Sequence, residues 1–369
     1  LADVLRGDGA VLPVPADDAR QTSLLTTSLR AYEPIDDDIA VVVSTSGTTG
    51  VPKGAMLTAS ALTASAEATH RWLGGPGRWL LALPAYHVAG LQVLVRSVVA
   101  GTTPVAVSSG FDGAELASAV ASLGSGRRYA ALVAAQLDRA LRDAAAAAAL
   151  ASLNAVLIGG GPMPHGVAER ASAAGIPVVR TYGMSETAGG CVYDGVPLDG
   201  VQVGIDAGDE RSATPHRGRV VLGGVTLARG YRNPVQPDPF AEPGWFRTDD
   251  IGAIDEAGAL RVLGRVDHAI STGGLTVLPE LVEAALARHP AVADCAVFGV
   301  ADERLGQRVV AAVVVAAGCV PPGLADLRAH VASTLSPTAA PREIHLVGEL
   351  PRRGIGKIDR ARLIELFTP

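Results

Sequence analysis

Ser44-Thr45-Ser46-Gly47-Thr48-Thr49-Gly50-Val51-Pro52-Lys53-Gly54 follows directly on the apolar run Ile39-Ala40-Val41-Val42-Val43. The run reads as a short buried strand, and the eleven residues after it carry five hydroxyls, three glycines and one lysine. Such a loop at a strand end suits an anion wrapped by backbone N–H groups, hydroxyls and one mobile cation. An ordinary polar turn uses the same residue types, and lysine usage separates the two readings. Lysine occurs only at positions 53 and 357, and arginine supplies the rest of the 31 basic residues. Lysine is a compact, mobile point charge where arginine is a planar fork, so a lysine kept in an arginine-rich chain points to chemistry. The stretch is not a Walker A loop, which needs Gly-Lys followed by Ser or Thr. Pro52 precedes Lys53 and Gly54 follows it, so a GTPase-like or kinase-like mechanism loses its support.

Composition narrows the class. The 369 residues suffice for two or three domains. With a formal net charge of −6 and no basic run, the chain lacks the electrostatic footprint of a nucleic-acid binder. Apolar residues make up 48%, yet no run approaches the roughly 20 needed for a membrane span. No basic start followed by an apolar segment indicates secretion. Cys191, Cys295 and Cys319 match neither a metal spacing nor a disulfide framework, and the expected location is cytoplasmic.

Outward from the loop, residues 1–38 give weak element signals. Helix is expected over 57–72, strand over 79–83, and helix from the segment 84–91 through Arg96. His87 stands just past that strand end, where it either lines a substrate tunnel or packs at a helix start. Arg96, nine residues on in an apolar run, either snorkels to solvent or faces a carboxylate. Strand–helix units over 103–107 with 115–123 and 129–133 with 137–150 argue for a layered α/β sheet. The strand 155–158 runs into Gly159-Gly160-Gly161, where a flat ring can approach the backbone closely. The strand 177–180 then meets the loop Thr181-Tyr182-Gly183-Met184-Ser185-Glu186-Thr187. That loop could stack a base, contact a phosphate and hold Mg²⁺ through a carboxylate oxygen. Ligands gather at the carboxyl ends of strands in open α/β sheets, and this is the third glycine-bearing strand end here.

From 200 to 264 the texture changes to antiparallel strands over 201–205, 218–222, 252–255 and 260–263, a small barrel or sandwich. Within it, one of the carboxylates Asp249 and Asp250 could accept from ribose hydroxyls. Beyond 264, a helix over 279–288, strands over 292–300 and 307–315, and a helix over 323–335 make a compact α+β unit. It ends in Pro351-Arg352-Arg353-Gly354-Ile355-Gly356-Lys357-Ile358-Asp359-Arg360, a loop that a small domain could swing over a cleft.

Five blocks, 44–54, 84–90, 182–187, 244–249 with 264–280, and 351–360, stand in the order found in the adenylate-forming superfamily of acyl-CoA synthetases, adenylation domains and luciferases. The chain closely resembles that superfamily from Ile39 onward. Its short lead-in and the segment 83–102 make it similar to the compact acyl-CoA ligases of menaquinone biosynthesis.

The resemblance implies an α/β fold. It would comprise a large domain over 1–266 of layered sheets with a small antiparallel barrel-like subdomain, and a small mobile α+β domain over 267–369. It implies ATP-dependent joining of o-succinylbenzoate to coenzyme A through an acyl adenylate, with Mg²⁺. Alternatives are another aryl- or acyl-CoA ligase, an adenylation enzyme serving a carrier protein, or a nucleotide-binding regulatory protein that has lost catalysis. A homodimer is left open.

By the same resemblance Lys357 would bridge the reacting carboxylate and the α-phosphate, and Glu186 would hold the metal. Ser44, Thr45, Ser46, Gly47, Thr48, Thr49 and Lys53 would hold the β- and γ-phosphates. Tyr182 and Gly159 to Gly161 would flank adenine, with Ser185 and Thr187 near the phosphate and Gly183 beside the substrate. Asp249 would take the ribose hydroxyls and Arg265 the ribose or phosphate. His87 would border the acyl pocket, and Arg96 would meet a second carboxylate or pair with a neighbouring acid. Asp267 would be the hinge, and Gly273 and Gly274 would complete the thioester site. His268 departs from the pattern, standing where a second acidic residue is common.

Overall fold

The structure is a computed structural model describing residues 1–45, 52–108, 110–207, 217–353 and 357–368. Ile39–Val43 is a strand with every residue buried, as the apolar run requires. It pairs antiparallel with Ala55–Thr58, so residues 44–54 link two strands of one ladder. The helix expected from 57 begins at Ala59. Leu57 and Thr58 are drawn into that ladder, and Thr58 caps the helix by accepting from the Ala61 N–H at 3.0 Å.

The main sheet has seven strands. Val105–Ala106, Arg78–Leu81, Arg128–Val133, Ala155–Gly159 and Val178–Met184 lie side by side in parallel, followed by the antiparallel strands Gly189–Tyr193 and Val196–Pro197. The central parallel strands Arg128–Val133 and Ala155–Gly159 are dominated by Val, Leu, Ile and Ala, as expected when helices cover both faces. One apolar cluster joins Leu80, Leu132, Val156 and Ile158 to helices Gly113–Ser122 and Ala144–Ala151. Trp79, Tyr129, Ala131 and Leu157 face the other side.

The single helix expected over 137–150 is two, Ala134–Ala140 and Ala144–Ala151. Asp143 starts the second by accepting from the Ala146 N–H at 2.8 Å, and a side-chain cap competes with continuing the first helix.

Val201–Asp206, Arg217–Gly224, Trp245–Ile254 and Leu260–Arg265 form a four-stranded antiparallel sheet in chain order, an open version of the barrel-like unit expected there. After Arg265 a second α+β unit builds on the long pair Val292–Asp302 and Gly306–Val315, which carries Glu343–Leu346 in parallel and the hairpin Ile270–Thr272 with Leu275–Val277. Its apolar clusters draw only on residues from Ile270 to Phe367. Helix Pro279–Leu286 covers one face and Arg360–Phe367 the other. Among the described residues no helix is long and apolar enough to cross a membrane.

Candidate active site

Ser44 and Thr45 leave the first strand half-buried, and the Thr45 hydroxyl is buried with no hydrogen-bond partner among the described residues. A buried hydroxyl without a partner is costly unless a ligand supplies one. Ser46, Gly47, Thr48 and Thr49 lie outside the described residues.

Lys53 is held by an unforeseen neighbour, the segment 229–233. It runs antiparallel to 52–56 through Asn233 N–H to Lys53 C=O (3.0 Å), Arg232 N–H to Gly54 C=O (2.8 Å) and Met56 N–H to Gly230 C=O (3.0 Å). Tyr231 pairs with Ala55, and the Lys53 ammonium stands 5.2 Å from the centre of its ring.

The stretch expected as a loop at 181–187 is strand as far as Met184, because Thr181 to Met184 pair with Tyr193, Val192, Gly190 and Gly189. Only Ser185–Thr187 turns, as one short 3₁₀ helix. Gly183 is required by this hairpin, since a Cβ there would meet the Gly189 carbonyl at 2.1 Å. Ser185 is half-buried on the turn.

Thr187 differs from expectation. It is 1% exposed, and its hydroxyl donates to Gly189 C=O (2.7 Å) and accepts from Met184 N–H (3.0 Å). The hydroxyl is therefore spent holding the turn rather than offered to a phosphate. The turn aims Glu186, 7% exposed, at Tyr231, whose hydroxyl donates to Oε1 at 2.6 Å. Burial pushes the Glu186 carboxyl up, and the Tyr231 hydrogen bond, a backbone N–H, Lys53 and Arg265 pull it only partly back.

Tyr182 ends in a hydrogen bond from its hydroxyl to Asp250 at 2.7 Å. The hydrogen bond singles out Asp250 of the two adjacent acids. Along Trp245–Ile254 alternate residues face opposite ways. Phe246, Thr248 and Asp250 are buried, whereas Asp249 is exposed and bound to Arg219 at 2.9 Å. Asp250, not Asp249, shares its face with Tyr182. Arg265 meets both, Asp250 at 3.4 Å and Asp249 at 3.5 Å, and makes two bonds to Asp267 at 2.8 and 2.9 Å.

Among the three glycines, Gly159 ends its strand with Thr181 where a Cβ would sit (2.4 Å), Gly160 has φ +80°, and Gly161 faces open space. Gly273 and Gly274, with φ of +58° and +78°, are the two-residue turn of the 270–277 hairpin, a geometry that demands glycine without any ligand. His268 replaces the expected acid with a ring whose Nδ1 lies 2.7 Å from Glu280.

His87 precedes helix Val88–Val99, its ring 4.5 Å from that of Tyr86. Burial lowers its pKa from 6.5, and the charge of Lys357 lowers it further, so the imidazole is neutral at pH 7. Lys357 itself is exposed, on the two-strand ribbon Arg352–Arg353 with Lys357–Ile358.

Arg96 does not snorkel. It is 3% exposed, stacked 4.9 Å over the Trp79 ring, and donates to the Tyr193 hydroxyl at 3.2 Å. Among the described residues its Nε is buried without a partner and no carboxylate pairs with it.

Two family models match in tandem, "AMP-binding enzyme" over residues 7–232 and "AMP-binding enzyme C-terminal domain" over 281–357. The chain belongs to the AMP-binding enzyme family. A protein of Mycobacterium tuberculosis named probable 2-succinylbenzoate–CoA ligase is 66% identical over all of this chain and 94% of its own length. The 2-succinylbenzoate–CoA ligase of Geobacillus kaustophilus is 36% identical over all of this chain and 76% of its own. Among solved structures, the o-succinylbenzoate CoA synthetase of Bacillus subtilis with its acyl-adenylate OSB-AMP superposes with a TM-score of 0.75 at 28% identity, covering 88% of this chain and 69% of that one. The same enzyme with ATP and magnesium ion gives 0.75 over 90% and 73%. ATP-bound MatB from Rhodopseudomonas palustris gives 0.80 at 26% identity over 91% and 70%.

Proposed function

We propose that this AMP-binding enzyme is a cytoplasmic ligase that joins 2-succinylbenzoate to coenzyme A. The substrate carboxylate attacks the α-phosphorus of ATP and pyrophosphate leaves. The CoA thiolate then attacks the acyl carbonyl, forming the thioester and releasing AMP. The observation that supports this reading is the cluster in which the Tyr231 hydroxyl donates to Glu186 at 2.6 Å while the Lys53 ammonium stands 5.2 Å from the centre of the same ring, with the charge of Lys357 felt at His87. Two anions must meet in the first step, and fixed positive charge where negative charge develops is what accelerates it. Lys357 bridges the carboxylate and α-phosphate, and Lys53 holds the phosphates that leave. Neutral His87 borders the acyl group, adding no charge that would trap the carboxylate in its ground state. Tyr182 and the 159–161 glycines flank adenine, Asp250 takes the ribose hydroxyls with Arg265, and Ser185 lies near the phosphate.

The residues present fit Mg²⁺ bound with nucleotide. Among the described residues no group of three or more His, Cys, Asp or Glu could cage a metal. One buried carboxylate, Glu186, faces the lysine side, and Mg²⁺ is commonly held by one or two carboxylates plus substrate phosphates. When bound it would neutralise phosphate charge.

The choice of a dicarboxylic acid rests on Arg96. A buried guanidinium without a counter-ion is unfavourable by itself, and a second substrate carboxylate supplies the missing charge. We assign residues 1–266 to the ATP- and acyl-binding domain and 267–369 to a domain that turns about Asp267 between the steps, bringing the 273–274 turn to the thioester site.

The test is ATP-dependent pyrophosphate release with CoA and a panel of acids. The expected result is turnover of 2-succinylbenzoate well above benzoates and fatty acids. Equal or better turnover of a monocarboxylic acid would overturn the substrate assignment.

A further inference from the structure

The segment Ala228-Arg229-Gly230-Tyr231-Arg232-Asn233 contributes nothing to the roles above, yet it touches both halves of the phosphate machinery. At one end the Ala228 N–H donates to the Glu186 carbonyl at 2.8 Å. At the other, the Asn233 side chain donates to Pro52 C=O (2.9 Å) and to Ser28 C=O (2.7 Å), while its backbone N–H fixes Lys53. Gly54 is pressed between these layers. With φ +72°, a Cβ there would meet Leu29 at 2.7 Å and Val42 at 2.9 Å.

Tyr231 stands at the centre and is 8% exposed. Its ring packs edge-on to Phe240 (5.5 Å) and belongs to the cluster of Val41, Leu57 and Phe246, so its position is set by the core. From that anchored ring, the hydroxyl reaches Glu186 and the π-face receives Lys53.

We propose that Tyr231 is a positioning residue that sets the metal-facing carboxylate of Glu186 and the phosphate-facing ammonium of Lys53 in register before nucleotide arrives. Binding Oε1 through a rigid donor leaves the carboxylate one orientation, and groups that hold a ligating carboxylate typically change metal affinity by about 10- to 100-fold when removed. The ring draws Lys53 to the same spot, because a desolvated aromatic face attracts an ammonium. A flexible lysine and a carboxylate from segments 133 residues apart in the chain thereby share one reference point.

This inference rests on the nucleotide-binding reading above, and the test separates the two. ATP binding to the full chain is measured by calorimetry with and without Mg²⁺, for the parent, Tyr231→Phe, Glu186→Gln and the double variant. The parent is expected to bind ATP more tightly with Mg²⁺. Tyr231→Phe keeps the ring, and is expected to melt close to the parent and bind metal-free ATP unchanged while losing about 10- to 100-fold of the Mg²⁺-dependent gain. Adding it to Glu186→Gln should change nothing further, since the hydroxyl acts through that carboxylate. Tyr231→His, which restores a donor, should regain part of the loss.

A Phe variant that keeps the full Mg²⁺ gain, or that weakens ATP equally with and without Mg²⁺, overturns the role of Tyr231 alone. A parent that binds no ATP under either condition overturns the enzyme reading and this inference with it.

Discussion

Lys53 and Lys357 are the chain's two lysines, and their surroundings could hardly differ more. Lys53 is half-buried, tied through its backbone to Asn233 and drawn over the Tyr231 ring. Lys357 stands exposed on a ribbon of two residues per strand, in a unit whose apolar clusters share no residue with the rest. A group needed throughout catalysis gains from being fixed in advance, since no reorganisation is then needed at the moment of reaction. A group needed in one step and in the way of the next gains from a mobile mount. The contrast fits the proposed roles, phosphate binding for the first lysine and the adenylation step for the second.

The largest expected effect breaks the delivered half. Lys357→Ala should slow substrate-dependent pyrophosphate exchange by about 10²- to 10³-fold, the usual cost of removing one preorganised charge from a transition state. Lys53→Ala should act mainly on the KM for ATP, because it holds phosphate in ground and transition states alike. Equal kcat losses in both variants would erase the distinction.

The fixed half is sharpened at Arg96. Arg96→Met removes a buried cation with no counter-ion among the described residues, so the melting temperature should hold or rise. The KM for a dicarboxylic acid should meanwhile increase by about 10- to 100-fold, in the range of a lost hydrogen bond to a charged group. A fall in melting temperature with no change in KM would make Arg96 a packing residue.

A smaller effect separates the adjacent acids. Asp250→Asn should raise the KM for ATP by about tenfold, whereas Asp249→Asn should stay within about twofold, the mark of an exposed ion pair. The reverse order would restore Asp249 to the ribose.

That pair also shows what was legible in the sequence. The five blocks, the strand Ile39–Val43 and the change to antiparallel strands near residue 200 were readable, because each carries its signal within a few residues. Choosing between Asp249 and Asp250 required the register of Trp245–Ile254, and a one-residue slip turns every side chain to the other face. Tyr231 gave no local signal, since it works through Glu186, 45 residues away, and through Lys53, 178 residues away. Thr187 looked like a phosphate ligand because a hydroxyl that closes its own turn is written with the same letter as one that meets a substrate.

The last expected effect is on stability. Burial, then the charge of Arg96, lowers the His70 pKa from 6.5 to about 4. Between those values the unfolded chain holds the proton that the folded chain refuses, so stability rises with pH across that window and is lost as pH falls from 6.5 towards 4. In a series of melting curves from pH 4 to 7, His70→Gln should flatten this part of the profile. An unchanged slope would mean that other groups set it.

The central claim is that the two lysines serve different steps, and the thioester half-reaction alone tests it most directly. Preformed acyl adenylate is mixed with CoA and Lys357→Ala in a single-turnover experiment. The division of labour predicts thioester formation near the parent rate. A loss as large as that in pyrophosphate exchange would contradict it.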